Sequence, residues 1–76
     1  MSQIVKVVPR DDYCLEVYLD NGSGINLNFR SRLQTLRFGI LSDKGLFYGA
    51  VTDGDYIRWG NELEISINEV FQLAQR

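Results

Sequence analysis

Between residues 14 and 29, apolar and polar side chains alternate in two runs. Leu15, Val17 and Leu19 are separated by Glu16 and Tyr18, and Ile25, Leu27 and Phe29 by Asn26 and Asn28. Alternation with a period of two marks a half-buried strand. The runs flank Asp20-Asn21-Gly22-Ser23-Gly24, and Asn-Gly between alternating runs is a strong hairpin signal. A slip of one residue would turn Leu15, Val17 and Leu19 to water, so the register is set as well. Ahead of this hairpin, Val5 to Val8 is β-branched apart from Lys6. It predicts a strand covered on both faces and ended by Pro9.

Ala50-Val51-Thr52 and Tyr56-Ile57-Arg58-Trp59 flank Asp53-Gly54-Asp55 and predict a second hairpin. After a turn at Gly60-Asn61, Leu63 and Ile65 alternate with Glu62, Glu64 and Ser66, a further extended piece. Ser31-Arg32-Leu33-Gln34 reads as a capping box opening a short helix that carries Leu33, Leu36 and Phe38 and closes at Gly39. Leu46-Phe47-Tyr48 extends a turn begun at Ser42 or opens a strand, and periodicity leaves both readings open. Ser66-Ile67-Asn68-Glu69 is a second capping box. Behind it Ile67, Val70, Phe71 and Ala74 fall at helical spacing, Leu73 widens that stripe, and Arg76 stands at the negative end of the dipole. The expected architecture is α+β. It is one domain over residues 1–76, an antiparallel sheet of about five strands built from two hairpins. A short helix crosses between them, and the C-terminal amphipathic helix packs its Val70/Phe71 side on the Leu15/Val17/Leu19 face.

Composition narrows the chemistry. The 76 residues include no histidine and one cysteine. Nucleophile arrangements that need a histidine, His-ligated metal sites and internal disulfides are therefore excluded within one chain. Eight basic against ten acidic side chains give a net charge of -2, a poor start for direct binding to nucleic acid. No run approaches the length of a membrane span, and the N-terminal apolar run is broken by Lys6 and Pro9. With the lone thiol, this places the protein in the cytoplasm. A domain so short buries little surface, so self-association into a homo-oligomer is expected to add stability.

Candidate residues have a bland reading beside the functional one. Tyr18, Tyr48, Tyr56 and Trp59 are rings suited to a partner-binding surface; the alternative is cross-strand packing on a half-wet sheet. Arg30, Arg32 and Arg37 surround the predicted short helix. They suit a phosphate or nucleic-acid contact, or a solvated helix paired with carboxylates, which an acidic chain favours. Asp53-Gly54-Asp55 lacks the continuation of a calcium loop and reads as a capped turn. Cys14, near Asp11, Asp12 and Glu16, reads as a passive thiol. Glu62, Glu64, Asp53 and Asp55 are the one acidic concentration, with no spacing that demands an acid/base pair. No catalytic residue, cofactor or metal ligand is assigned.

The ordered set Val7-Val8-Pro9, Tyr13-x-Leu15-x-Val17, Asp20-Asn21-Gly22, Leu41-x-Asp43-x-x-Leu46-Phe47, Asp53-Gly54, Ile57-x-Trp59 and Leu63-x-Ile65-Ser66 runs from about Ile4 to Phe71. It resembles the bacterial family catalogued as domain of unknown function 2442. Gly60-Asn61-Glu62 after Trp59 departs from that family's usual Trp-Pro-Asn-Gly. The resemblance implies a small α+β domain with no assigned activity, often encoded beside another small protein in a toxin–antitoxin-like arrangement. Other members are joined to a helix-turn-helix domain, for which this chain has no room. The expected function is a non-enzymatic interaction or regulatory module, antitoxin-like, whose partner is another small protein or itself. Burial of an aromatic sheet face or an exposed edge strand would drive the binding. The alternatives are an accessory domain linked to transcription or nucleic acid, and a carboxylate enzyme.

Overall fold

The Asn-Gly hairpin forms as its alternation requires. In the computed structural model, which describes residues 2–75, β2 (Cys14–Leu19) pairs antiparallel with β3 (Gly24–Asn28), Leu15 opposite Leu27 and Val17 opposite Ile25. Gly22 takes φ +87° at the turn, a conformation that glycine adopts without strain. β1 (Ile4–Pro9) pairs with the other side of β2, with an irregularity between Ile4 and Lys6. The second hairpin also forms: β4 (Ala50–Thr52) pairs with β5 (Tyr56–Trp59) around Gly54 at φ +104°, and β5 pairs with β6 (Leu63–Ser66).

These strands do not make the single sheet of about five strands that the sequence predicts. They make two separate three-stranded antiparallel sheets, β1-β2-β3 and β4-β5-β6. β4 lies alongside β1, but the backbone bond linking this seam is Ile4 N–H to Gly54 O at 2.8 Å. Pro9 cannot donate to a ladder, the register shift after Ile4 breaks the strand's regularity, and β4 is three residues long. β1 is accordingly an edge strand with Val5 60% exposed, not a strand covered on both faces.

The short helix expected over residues 31–39 is also absent. Arg30–Arg32 and Gly39–Ser42 are 3-10 turns joined by irregular chain. The first is entered from Asn28, whose side chain accepts the Arg30 N–H at 2.9 Å, so Ser31 does not act as the cap. Leu33, Leu36 and Phe38 do not share a helical stripe: Phe38 is buried and Leu36 fully exposed. The helix that does form here is α1 (Lys44–Phe47), one turn capped by the Asp43 side chain at Leu46 N–H.

α2 (Ile67–Ala74) starts with half of the expected capping box: Ser66 Oγ accepts the Glu69 N–H at 3.2 Å, while the Glu69 carboxylate is turned to Arg37. It packs against β3 and β6, the strands remote from the β1–β4 seam, and so spans both sheets rather than lying on one face. Val70 is fully buried, and Ile67 and Leu73 are half-buried, whereas Phe71 is 38% exposed. The docked stripe is Ile67-Val70-Leu73, one residue to the side of the predicted one. The expectation for Arg76 lies outside the described residues. Phe29 is central to the core, with ring centroids 5.4 Å from Phe38, 5.6 Å from Trp59 and 6.3 Å from Phe47. Leu15, Val17, Leu41, Ile57 and Ile65 fill the space around these rings.

Candidate functional site

The register of the first sheet sorts its side chains by face. Leu15, Val17 and Leu19 go to the core. Lys6, Tyr18 and Gly24 form one outward row, and Val8, Glu16 and Asn26 the next. Tyr18 lies across its row: its ring packs on Gly24, where an added Cβ would stand 3.3 Å from the ring. Its hydroxyl donates to Glu16 Oε1 at 2.6 Å. Glu16 is held in turn by Arg10, whose Nε and Nη2 donate to its two oxygens at 2.8 and 3.1 Å. The Lys6 ammonium is 6.0 Å from the Tyr18 ring centroid. The Arg10 guanidinium and the Tyr18 hydroxyl hold the Glu16 carboxyl down at about 2, and the same contact raises Tyr18. The result is an outward ring, 37% exposed, fixed in one orientation by a chain of charge-assisted bonds.

The other predicted rings lie elsewhere. Tyr56 is on the outward face of the second sheet beneath Arg58, 5.3 Å from ring centroid to guanidinium carbon. Arg58 is held by Asp53 at 2.6 Å and Glu64 at 2.8 Å. Tyr48 ends α1, 47% exposed. Trp59 is in the core with no exposure, edge-on to Phe29, and is no part of a surface. The alternation in β5 explains this: Trp59 shares the side of Ile57, while Tyr56 and Arg58 share the other. The Trp59 indole N–H is buried with no hydrogen-bond partner among the described residues.

Two of the three predicted arginines are cross-links within the fold. Arg32 donates to the carbonyls of Asn28 at 3.0 Å and Leu73 at 3.4 Å, tying β3 to the end of α2. Arg37 pairs with Glu69 through both nitrogens and reaches Glu64 O at 3.2 Å. Arg30 lines an open groove with Arg10 and Lys44, opposed there by Asp11, Asp12 and Glu16. The three arginines do not converge on one anion site.

The acidic concentration is divided. Glu62 and Glu64 line a shallow groove of about 290 Å³ with Arg58, and Arg58 already holds Glu64 and Asp53. Asp53 is drawn down to about 2, first by Arg58 and then by the backbone N–H groups of Asp55 and Tyr56 that cap its turn. A carboxylate held so low is a poor proton acceptor at neutral pH. Burial and then Asp12 push the Cys14 thiol up. Among the described residues, no group of three or more His, Cys, Asp or Glu side chains is placed to hold a metal ion. No helix there is long and apolar enough to cross a membrane.

The chain matches no family model, no curated protein and no solved structure. The resemblance to the uncharacterised bacterial family therefore rests on the ordered residues alone.

Proposed function

We propose that this chain is a non-enzymatic interaction module of a regulatory, antitoxin-like kind, and that it engages a small protein partner through the outward face of its first sheet. The observation that supports this reading is the pre-set Tyr18 ring, seated on Gly24 and bonded to an arginine-clamped Glu16. An exposed aromatic already held in one rotamer loses little freedom on binding, which is what a central anchor needs. Glu16, Arg10 and Lys6 around it supply charge for orientation rather than bulk affinity.

Co-expression with the protein encoded beside it tests the reading. A co-purifying complex is expected, and Tyr18→Ala should weaken it at least about tenfold while the circular dichroism spectrum stays unchanged. Independent elution of the two proteins, or a complex indifferent to Tyr18→Ala, would overturn it.

A further inference from the structure

The four sheet edges are not protected alike. β1 carries Pro9 and the shift near Val5, and β4 lies along it. β6 carries Glu64, whose carbonyl is occupied by Arg37, and then turns at Ser66 into α2. β3 is guarded at its Asn28 end, where Arg32 holds the carbonyl and α2 packs nearby, but its Gly24–Asn26 stretch has none of these devices among the described residues. Gly24 to Phe29 contains no charge and no proline, and its pairing with β2 runs without a bulge. Natural sheets guard such an edge unless something pairs with it.

The direction of the backbone groups on β3 follows from the bonds at its two ends. Leu19 N–H donates to Ser23 O, and Phe29 N–H donates to Tyr13 O, each at 2.9 Å. Residues of β3 bonded to β2 therefore alternate from Ser23 through Ile25 and Leu27 to Phe29. Gly24, Asn26 and Asn28 turn their N–H and C=O groups away from β2. Asn28 O accepts from Arg32 and retains a second lone pair. Among the described residues, the outward backbone groups of Gly24 and Asn26 have no hydrogen-bond partner, and both residues are exposed. A groove of about 470 Å³, lined by Asn26, Asn28, Leu73 and Ala74 among others, borders this edge.

We infer that β3 is the seam of a two-fold homodimer, in which a second copy of this chain adds its own β3 antiparallel about Asn26. The edge is complementary to itself. Asn26 meets Asn26 of the second copy, and Gly24 meets Asn28, so every outward N–H faces an outward carbonyl. Ile25, half-buried in one copy, comes opposite Leu27 of the second on the core side. Two copies of a net acidic chain meet here with no like charges opposed on the paired strands, because β3 carries none. The two-fold axis runs perpendicular to the joined sheet, so both Tyr18 faces lie on the same side of six continuous strands. The dimer is independent of any partner bound at Tyr18.

Sedimentation and amide hydrogen exchange test the seam on the whole chain. The wild type should be a concentration-dependent dimer. The Gly24 and Asn26 amides should become protected as concentration rises, although neither has an acceptor among the described residues of its own copy. Asn26→Pro removes the central N–H without touching the β2 ladder, a position where an edge strand tolerates proline. It should raise the dimer dissociation constant at least about tenfold while Ile25 and Leu27 amides stay protected. A wild type that remains monomeric, Gly24 and Asn26 amides that exchange freely at every concentration, or a dimer unaffected by Asn26→Pro would each overturn the inference.

Discussion

Arg37 and Glu69 are 32 residues apart in the chain and meet as a two-pronged ion pair, with a second Arg37 nitrogen 2.8 Å from Glu69 Oε1. The pair anchors the irregular segment between the two sheets to the first turn of α2. The Arg37 guanidinium also lies 5.1 Å from the Phe38 ring centroid and donates to Glu64 O. Both side chains are partly exposed, at 49% and 21%, so water screens the attraction. A double-mutant cycle should give a coupling of roughly 0.3–1 kcal/mol for the pair. Arg37→Ala alone should cost about 1–2 kcal/mol, because the carbonyl and ring contacts go with it. Urea midpoints measure both, and a coupling of zero would remove the anchor.

Val70 and Phe71 are neighbours on α2 with opposite surroundings. Val70 is fully buried, while Phe71 is 38% exposed. Val70→Ala should cost roughly 2–3 kcal/mol, two lost methyl groups plus the space they leave. Phe71→Ala should cost about 1 kcal/mol or less despite removing the larger side chain. Equilibrium urea denaturation distinguishes these outcomes. The reverse order would mean that the helix docks through the other stripe.

Acid should destabilise this fold through two carboxylates. Glu16 and Asp53 sit at about 2, against ordinary values of 4.5 and 3.8. In that interval the unfolded chain binds protons that the folded chain does not. The stabilisation they supply is complete above their ordinary values and is lost as pH falls toward 2. The melting temperature should decline across this window, less steeply in Glu16→Gln/Asp53→Asn and less steeply in high salt. A melting temperature that rises or stays level on acidification would contradict the two clamps.

The hairpins and α2 were legible because their signals are local. Alternation around Asn21-Gly22, the Gly54 turn and the Ser66 cap each depend on residues close in sequence. The division into two sheets was not legible, since it turns on whether β1 and β4 form a ladder, and no periodicity encodes a pairing between distant strands. The Ser31 capping box failed because Asn28 reaches the Arg30 N–H first and ends the chain's helical option in a 3-10 turn. Trp59 was a different case. Its parity with Ile57 on the alternating strand assigns it to the core, and the chemistry of the ring does not override that parity. Of the proposed anchors, Tyr18 alone has the ring-to-carboxylate bond that fixes it, and the Tyr18–Glu16 spacing of two on an alternating strand was the available clue. For Arg32 and Arg37 no local signal encodes which carbonyls and carboxylates the fold brings to them.

Every ladder in the molecule joins strands that follow one another along the chain. Each half is a meander that closes short loops, so its pairing draws little on chain entropy. What unites the halves is of another kind: the Ile4–Gly54 bond, the shared aromatic cluster, and α2 reaching from β6 to β3. Local pairing closes each hairpin, whereas the union of the halves is made by contacts between residues far apart in the chain, and both draw on one core.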